Sequence, residues 1–322
     1  MVEKISSRYK IISRIGQGGM AEIYLAEDTF DGKRVAVKVL HPDKKNDIVA
    51  IKRFNSELKL TEKVDSPYVI KIFDHVFNAK VQYIVMEYID GSIFKNYIER
   101  RTRLTVDETI EFSKQIALGL QEIHDQGIIH RDIKSTNIMI SEHGKIKIID
   151  FGIALTEESD RLTRADKIIA SVQYLAPEIL LQEKPTVKFD IYAFGILMFE
   201  MITGDLPFNG KDAITTAFMH KKSSVPQVNK IVENIPQSVA NIISKATAKD
   251  KNLRYNDMIE MYNDLNTCLS KERFYEEPIN LNKKNNFSIK KIIMSKWITV
   301  IMIVILLIAV ILIALSLGMG WF

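Results

Sequence analysis

The sequence predicts an α+β protein made of two unequal lobes, followed by one long apolar helix. Three observations carry this prediction. Short β-branched segments separated by turns fill residues 1–90, helical periodicity dominates residues 91–270, and an uncharged apolar run closes the chain. The 322 residues are ample for a large buried core, and a composition of 47% hydrophobic and 26% charged residues excludes a disordered or low-complexity chain.

In the predicted small lobe, strands occupy residues 9–15, 22–26, 34–40 and 81–88. A helix around Phe54 is predicted from apolar residues at three-and-four spacing. In the predicted large lobe, Thr105 and Glu108 form a capping box that begins a helix, and Gly127 ends it. Two apolar strands follow at residues 138–140 and 145–149, and residues 191–203 form a buried helix that is too short to cross a membrane.

The C-terminal tail is predicted to cross a membrane once. Residues 297–322 carry no charge, and residues 298–317 are Ile, Val, Leu, Met and Ala broken only by Thr299 and Ser316. At about 1.5 Å per residue this run spans the roughly 30 Å of a hydrocarbon core. A buried core helix is the alternative, but such a helix seldom runs this far without a polar face.

The net charge of +4 is concentrated just before this run. Residues 281–296 contain five lysines and no acidic residue, and +4 minus these five leaves −1 for the rest of the chain. The positive-inside rule therefore predicts a single-pass protein of the cell membrane, with residues 1–296 cytoplasmic and the C-terminus outside. Residues 271–296 are expected to form a flexible basic juxtamembrane linker. A nucleic-acid partner is not expected, because the body of the protein is near neutral.

The single cysteine, Cys268, leaves no partner for an intrachain disulfide and indicates a reducing compartment.

A glycine-rich turn between the first two strands is the first feature that suggests chemistry. Glycine lets a backbone approach phosphate oxygens closely and direct amide N–H groups at them. Alone, such a hairpin is more often an ordinary turn, so its neighbours decide. The turn consists of Gly16, Gln17, Gly18, Gly19, Met20 and Ala21.

Two charged residues near this turn favour the phosphate interpretation. The period of two in residues 35–38 puts Ala36 and Lys38 on one strand face, where a small residue can admit a flat base and a cation can bind its phosphates. Glu57 lies beside the apolar stripe of the predicted helix, and a carboxylate there needs a cation such as Lys38. Taken singly, either residue would more often be a solvated surface charge.

The strongest evidence for a catalytic site comes from residues 130–137, His-Arg-Asp-Ile-Lys-Ser-Thr-Asn, followed by Asp-Phe-Gly at 150–152. The hairpin between them places Asn137 and Asp150 side by side at its open end. An amide oxygen and a carboxylate together suit Mg²⁺. Asp132 can accept a hydroxyl proton, and Lys134 can neutralise a phosphoryl group in transfer.

Five motifs in this order resemble the protein-kinase family over about residues 9–270: the glycine-rich turn, the strand lysine Lys38, His-Arg-Asp, Asp-Phe-Gly, and Ala-Pro-Glu at 176–178. More narrowly, the chain resembles bacterial Hanks-type, or eukaryotic-like, serine/threonine kinases of the receptor-like PASTA-kinase group. That resemblance rests on Gly-Gly-Met at 18–20 and Tyr-Leu-Ala-Pro-Glu at 174–178. The group carries extracellular repeats after its membrane helix, and this sequence has none.

The resemblance implies the bilobal kinase fold, with an N-lobe at about residues 9–88, a hinge at 87–91 and a C-lobe at about 92–270. It implies that ATP is the nucleotide and Mg²⁺ the metal, with Mn²⁺ as an alternative ion, and that proteins with Ser or Thr hydroxyls are the substrates. The implied catalytic residues are Asp132 as base, Lys134, Lys38 and Glu57, and the implied metal ligands are Asn137 and Asp150.

The ATP contacts implied by the same resemblance line a slot between the lobes. Met86 is the expected gatekeeper, and residues 87–91 form the hinge that bonds adenine. Val37 is expected to line the purine slot. The implied ATP-binding residues are Ile15, Gly16, Gln17, Gly18, Gly19, Met20, Ala21, Ile23, Ala36, Lys38, Met86, Glu87 and Ile89.

Structural supports and a regulatory site are implied as well. Asp190 is expected to brace the catalytic loop, and Glu178 to pair with Arg254. Because an arginine precedes Asp132, phosphorylation is expected to order the activation segment. Thr163 is the expected autophosphorylation site, and Ser171 the residue that contacts Asp132 beside the substrate.

Two departures from the family pattern are visible. Ala21 replaces the third glycine of the general loop, which the bacterial group tolerates. Ser135 stands where proline is common, and little effect is expected because that position supplies no catalytic group.

Other classes of function are the alternatives. A pseudokinase scaffold is disfavoured by the full set of catalytic residues. A small-molecule phosphotransferase of kinase fold is disfavoured by the long activation segment that ends in Ala-Pro-Glu. A homodimer that supports trans-autophosphorylation is implied by the resemblance alone.

Overall fold

A computed structural model of the protein describes residues 6–44, 46–78, 81–150, 172–281, 303–309, 311–312 and 315. The chain divides into two units, Met1–Ile279 and Asn280–Phe322. The first unit contains both predicted lobes, and the strands and helices below belong to it.

The small lobe is a five-stranded antiparallel sheet with one helix against it. Numbered along the chain, the first, second, third, fifth and fourth strands lie side by side in that order. The helix begins at Asp47, whose carboxylate accepts hydrogen bonds from the N–H groups of Val49 and Ala50. Phe54 and Leu58 of this helix are buried against the sheet. The elements are β1 (Tyr9–Gln17), β2 (Ala21–Asp28), β3 (Arg34–Leu40), α1 (Ile48–Thr61), β4 (Ile72–Phe77) and β5 (Gln82–Glu87).

The large lobe is helical around one central helix that is apolar on all sides. In that helix every residue from Phe189 to Ile202 is buried, as expected for a helix surrounded by protein. The predicted capping box at Thr105 and Glu108 is confirmed. The helices are α2 (Phe94–Arg101), α3 (Val106–Asp125), the central α4 (Val187–Thr203), α5 (Ala213–Lys222), α6 (Gln237–Ala246) and α7 (Met258–Thr267).

A small three-stranded sheet carries the predicted hairpin. Its strands are β6 (Gly91–Ile93), β7 (Ile138–Ser141) and β8 (Ile146–Ile148), in the order β6-β7-β8. Ile138 pairs with Ile148, and the N–H of Ile149 donates to the carbonyl of Asn137 at 3.0 Å. The backbone positions of Asn137 and Asp150 therefore lie together where the hairpin opens.

The compact unit extends further along the chain than the sequence predicts. The sequence predicts a linker from residue 271, but residues 271–279 pack on the large lobe. Arg273 pairs with Asp264 at 2.7 Å, and the amide of Asn241 donates to the carbonyl of Glu277 at 3.0 Å. The described part of the juxtamembrane segment is thus folded up to Ile279.

In the second unit, residues 303–309, 311–312 and 315 are helical, and their large apolar side chains are exposed. Within the part of the chain that the structure describes, no helix combines the length and apolarity that crossing a membrane requires. Most of the predicted membrane helix at 297–322 lies outside the described residues.

Candidate active site

A cavity of about 1260 Å³ lies beneath the glycine-rich turn, between the small-lobe sheet and the small sheet of the large lobe. All thirteen residues predicted to contact ATP line it. Residues that the sequence analysis did not single out complete the lining at the large-lobe side, namely Ser92, Ile93, Asn96, Thr136 and Met139.

Val37 does not line this cavity. It is fully buried on the opposite face of β3, with Tyr9, Val35 and Val85. The prediction that Val37 lines the purine slot is therefore wrong, because side chains alternate along a strand and Ala36 and Lys38 occupy the cavity face.

The glycine-rich turn closes over the cavity through its own backbone. The N–H of Gly18 donates to the carbonyl of Ala21 at 2.9 Å. Ala21 is buried beside Ala36 and Leu40, so its small methyl group is part of the core below the turn. This packing explains why a small residue other than glycine fits at position 21.

Lys38 and Glu57 form a buried ion pair across the small lobe. Their side chains are 13% and 10% exposed. Burial is the largest influence on the pKa of Lys38 and lowers it, but the carboxylates of Glu57 and Asp150 outweigh burial and the pKa is raised above its ordinary value. Lys38 is therefore a charged ammonium that faces the cavity at neutral pH.

The hinge strand joins the two lobes through an ion pair that the sequence analysis missed. Glu87, at the end of β5, pairs with Lys147 of β8 at 2.7 Å. Lys147 also lies 3.4 Å from the carbonyl of Val69. Sixty residues separate Glu87 from Lys147, so no local pattern in the sequence could indicate this contact.

The catalytic-loop candidates contact one another directly. Lys134 Nζ lies 2.7 Å from Asp132 Oδ2. Asn137 Nδ2 donates to Asp132 Oδ2 at 2.9 Å and to the Asp132 carbonyl at 2.8 Å. Two of the predicted catalytic residues and one predicted metal ligand are thus held in one cluster, and the adjacent Thr136 lines the cavity.

Asp190 of α4 anchors the start of this loop. Its carboxylate accepts the N–H groups of His130 at 2.9 Å and Arg131 at 2.8 Å, and His124 Nε2 lies 2.8 Å from it. Arg131 has a φ of +68°, a conformation that costs energy for a non-glycine residue. Burial lowers the pKa of His130, although nearby carboxylates oppose that shift.

Asn137 and Asp150 supply the oxygen atoms that Mg²⁺ prefers. The side-chain nitrogen of Asn137 donates a hydrogen bond to Asp132. The Oδ1 atom of Asn137 is therefore the atom that can bind a cation. The two residues therefore fit Mg²⁺. Among the described residues, no cluster of three or more His, Cys, Asp or Glu side chains could hold a metal ion.

Glu178 and Arg254 form a buried, two-pronged ion pair in the large lobe. The two guanidinium nitrogens lie 2.6 and 2.8 Å from the two carboxylate oxygens. Arg254 also donates to the carbonyls of Ala248 and Lys188 at 2.8 Å. Removing one partner would leave a buried charge unpaired, so the pair holds the Ala-Pro-Glu segment in place.

The predicted regulatory residues Thr163 and Ser171 lie outside the described residues, as do the phenylalanine and glycine of Asp-Phe-Gly.

The sequence of the chain is similar to those of known protein kinases. The protein kinase domain family matches residues 9–265. A probable serine/threonine-protein kinase, PknB, of Lactococcus lactis is 41% identical over 282 residues, which cover 87% of this chain and 45% of the relative. The serine/threonine-protein kinase PrkC of Bacillus subtilis is 40% identical over 275 residues, which cover 85% of this chain and 42% of the relative. The chain thus spans less than half the length of these relatives.

Proposed function

The chain belongs to the protein kinase family, and on that premise we propose that it transfers the γ-phosphoryl group of ATP to serine and threonine hydroxyls of proteins. The observation that carries the proposal is the spatial convergence of the charged residues. Lys38, which is paired with Glu57, and Asp150 both line the cavity that holds all the predicted nucleotide contacts. The cluster around Asp132 adjoins that cavity through Thr136. The printed names of the two bacterial relatives support serine and threonine as the acceptors.

In this proposal Lys38, oriented by Glu57, binds the α- and β-phosphates. Asp132 accepts the proton of the attacking hydroxyl, and Lys134 beside it neutralises charge on the phosphoryl group in transfer. Backbone groups of Glu87 and Ile89 hold the adenine. Mg²⁺, when bound by Asn137 and Asp150, neutralises the negative charge of the phosphate oxygens.

The first test uses the full chain with labelled ATP, Mg²⁺ and a general protein substrate. Asp132→Asn keeps the size of the side chain and removes the base, so transfer to serine and threonine should fall at least about 100-fold. Asp125→Asn is the matched control, because Asp125 is exposed at the end of α3 and its replacement should leave the rate unchanged. Equal rates for the wild type and Asp132→Asn, or label on a small molecule instead of protein, would contradict the proposal.

We further propose that the C-terminal segment tethers the kinase to the cell membrane, with the kinase domain in the cytoplasm. The support is the uncharged run at 297–322, which directly follows the lysine-rich segment. The full chain should sediment with phosphatidylcholine vesicles, and a chain that ends at residue 281 should stay in the supernatant. Equal sedimentation of the two chains, or none for either, would count against a tether.

Regulation by autophosphorylation at Thr163, with two copies of the chain acting on each other, is part of the same proposal. Its support is Arg131, which is held beside Asp132 and can pair with a phosphate. Phosphopeptide mapping of active enzyme should find Thr163 modified. A filled Thr156 or Ser159 with an unmodified Thr163 would show that the assignment is wrong.

A further inference from the structure

The side chains of Ser135, Tyr174 and Glu200 form a buried triangle of hydrogen bonds beneath the catalytic loop. Its side chain is buried, with a relative exposure of 1%. Ser135 Oγ donates to Glu200 Oε1 at 3.0 Å and lies 3.1 Å from the hydroxyl of Tyr174. The Tyr174 hydroxyl donates to Glu200 Oε2 at 2.6 Å. One buried carboxylate thus accepts hydrogen bonds from hydroxyl groups on two separate segments of the chain.

The triangle depends on both hydroxyl groups. Burial raises the pKa of Glu200, and the hydrogen bonds from Tyr174 and Ser135 oppose that shift. A buried carboxylate that loses a donor cannot recover it from water, so removal of either hydroxyl leaves an unsatisfied acceptor. The hydrogen bonds to the Glu200 carboxylate, and not only close packing, therefore hold Ser135 and Tyr174 in place.

The position of the triangle gives it a role in the site. Ser135 immediately follows Lys134 and begins the short 3₁₀ turn that ends at Asn137. Glu200 lies in the last turn of α4, whereas Asp190, which anchors His130 and Arg131, lies in its first turn. Ten residues of helix separate the two carboxylates along α4, or about 15 Å.

Asp132 therefore sits between two attachment points on one rigid helix. The first attachment uses backbone N–H groups before Asp132, and the second uses the side chain of Ser135 after it. The side chains of Lys134 and Asn137 bond to Asp132 within the loop, and the hydroxyl of Ser135 attaches the turn that carries them to α4.

We propose that Ser135 is a positioning residue for phosphoryl transfer, whose hydroxyl fixes the second half of the catalytic loop to α4 through Glu200 and to the Ala-Pro-Glu segment through Tyr174. The inference rests on the proposed kinase function. It also replaces the expectation from sequence that a serine here has little effect, because that expectation considered only groups that touch the phosphate.

The experiment compares Ser135→Ala with Ser113→Ala in the full chain. Ser113 is a fully buried serine of α3, and its hydroxyl has no hydrogen-bond partner among the described residues. At a temperature where circular dichroism shows each protein folded, Ser135→Ala should lower kcat about tenfold while the Kd for ATP stays within about twofold. Ser113→Ala should leave both values unchanged, and Ser135→Thr, which keeps the hydroxyl, should recover most of the lost kcat.

A double-mutant cycle with Tyr174→Phe separates positioning from general loss of stability. Tyr174→Phe removes the other hydroxyl without changing the catalytic loop, and it should also lower kcat. Because both hydroxyls serve one carboxylate, the double variant should lose less than the product of the two single losses.

Several outcomes would overturn the inference. A Ser135→Ala enzyme with kcat within about twofold of the wild type would do so, as would losses that multiply in the double variant. If Ser135→Ala does not fold, a Tyr174→Phe enzyme with wild-type kcat would still refute it. A wild-type chain without any transfer activity would instead refute the proposed function, so the two failures are distinguishable.

Discussion

At the scale of single residues, two partly buried lysines show how neighbouring groups set the pKa of a side chain. Lys38 faces the carboxylates of Glu57 and Asp150, which raise its pKa despite burial. Lys249 donates instead to the Tyr192 hydroxyl and the His220 carbonyl, and burial lowers its pKa to about 8. A lysine ammonium is therefore harder to deprotonate than usual in the active site, whereas between α4 and α5 it loses its proton more easily.

His220 beside that lysine should make stability sensitive to acid. It is fully buried with Nδ1 2.9 Å from the Tyr192 hydroxyl, and burial lowers its pKa to about 4. Between pH 6.5 and about 4 the unfolded chain binds a proton at this residue that the folded protein does not. Stability is therefore lost as the pH falls through that range, by up to about 3 kcal/mol.

Urea denaturation of the wild type and His220→Asn at several pH values checks this prediction. The wild type should lose stability relative to the variant as the pH falls from 6.5 to about 4. His143→Asn, in an exposed turn, is the control for the loss of a histidine elsewhere in the chain. Parallel curves for the wild type and His220→Asn would contradict the assignment.

At the scale of elements, α4 packs against the end of α6 more closely than a side chain allows. A Cβ added at Gly195 would lie 2.8 Å from Ala246 Cβ and 2.7 Å from Thr247 Cγ2. Gly195→Ala should therefore destabilise the protein by about 1–3 kcal/mol, although alanine is the better helix former.

Chemical denaturation measures this effect, and a second substitution tests its cause. Thr247→Ser removes Cγ2 and keeps the hydroxyl that donates to the Ile243 carbonyl at 2.8 Å. It should recover part of the stability lost in Gly195→Ala, and a double variant no more stable than Gly195→Ala would show that this contact is not the cause.

The elements found from sequence are those with strong local signals. The hairpin strands and the capping box of α3 have regular patterns, and both were predicted. β4 was missed because Asp74 and His75 interrupt its apolar residues, and its pairing with β5 is non-local information.

The candidate site was predicted where its residues are close in sequence or belong to a recognised motif. All the implied ATP contacts line one cavity, although residues 86–89 lie far along the chain from the glycine-rich turn, because the family resemblance supplies both groups. The bridges from Lys147 to Glu87 and from Ser135 to Glu200 span about sixty residues each and have no sequence pattern. They depend on how the two segments pack, which the sequence alone does not state.

At the scale of the whole molecule, the compact unit ends at Ile279 and not at residue 270. The last residues of the unit add specific contacts to α6 and α7. The N–H of Gln237 donates to the carbonyl of Phe274 at 2.9 Å, and Arg273 pairs with Asp264. The first of these contacts satisfies a backbone N–H at the start of α6, which has no side-chain cap of its own.

Two truncated chains test this boundary. A chain that ends at residue 281 should unfold at the same temperature as the full chain, whereas one that ends at residue 270 should unfold at a lower temperature. The expected decrease is about 2–6 °C, because the shorter chain loses an ion pair and several hydrogen bonds. Equal midpoints in thermal denaturation would place the boundary where the sequence predicted it.

The central helix α4 has a consequence for the protein's internal motions. Its amide groups are covered on every side, from Phe189 to Ile202. No partial opening of the surface can bring solvent deuterium to them, so they should exchange only when the whole large lobe unfolds. Their exchange rate would then report the global free energy of unfolding directly. The two carboxylates that hold the catalytic loop thus lie on a helix that we expect to exchange slowly, and this keeps the two attachment points of the loop fixed relative to each other.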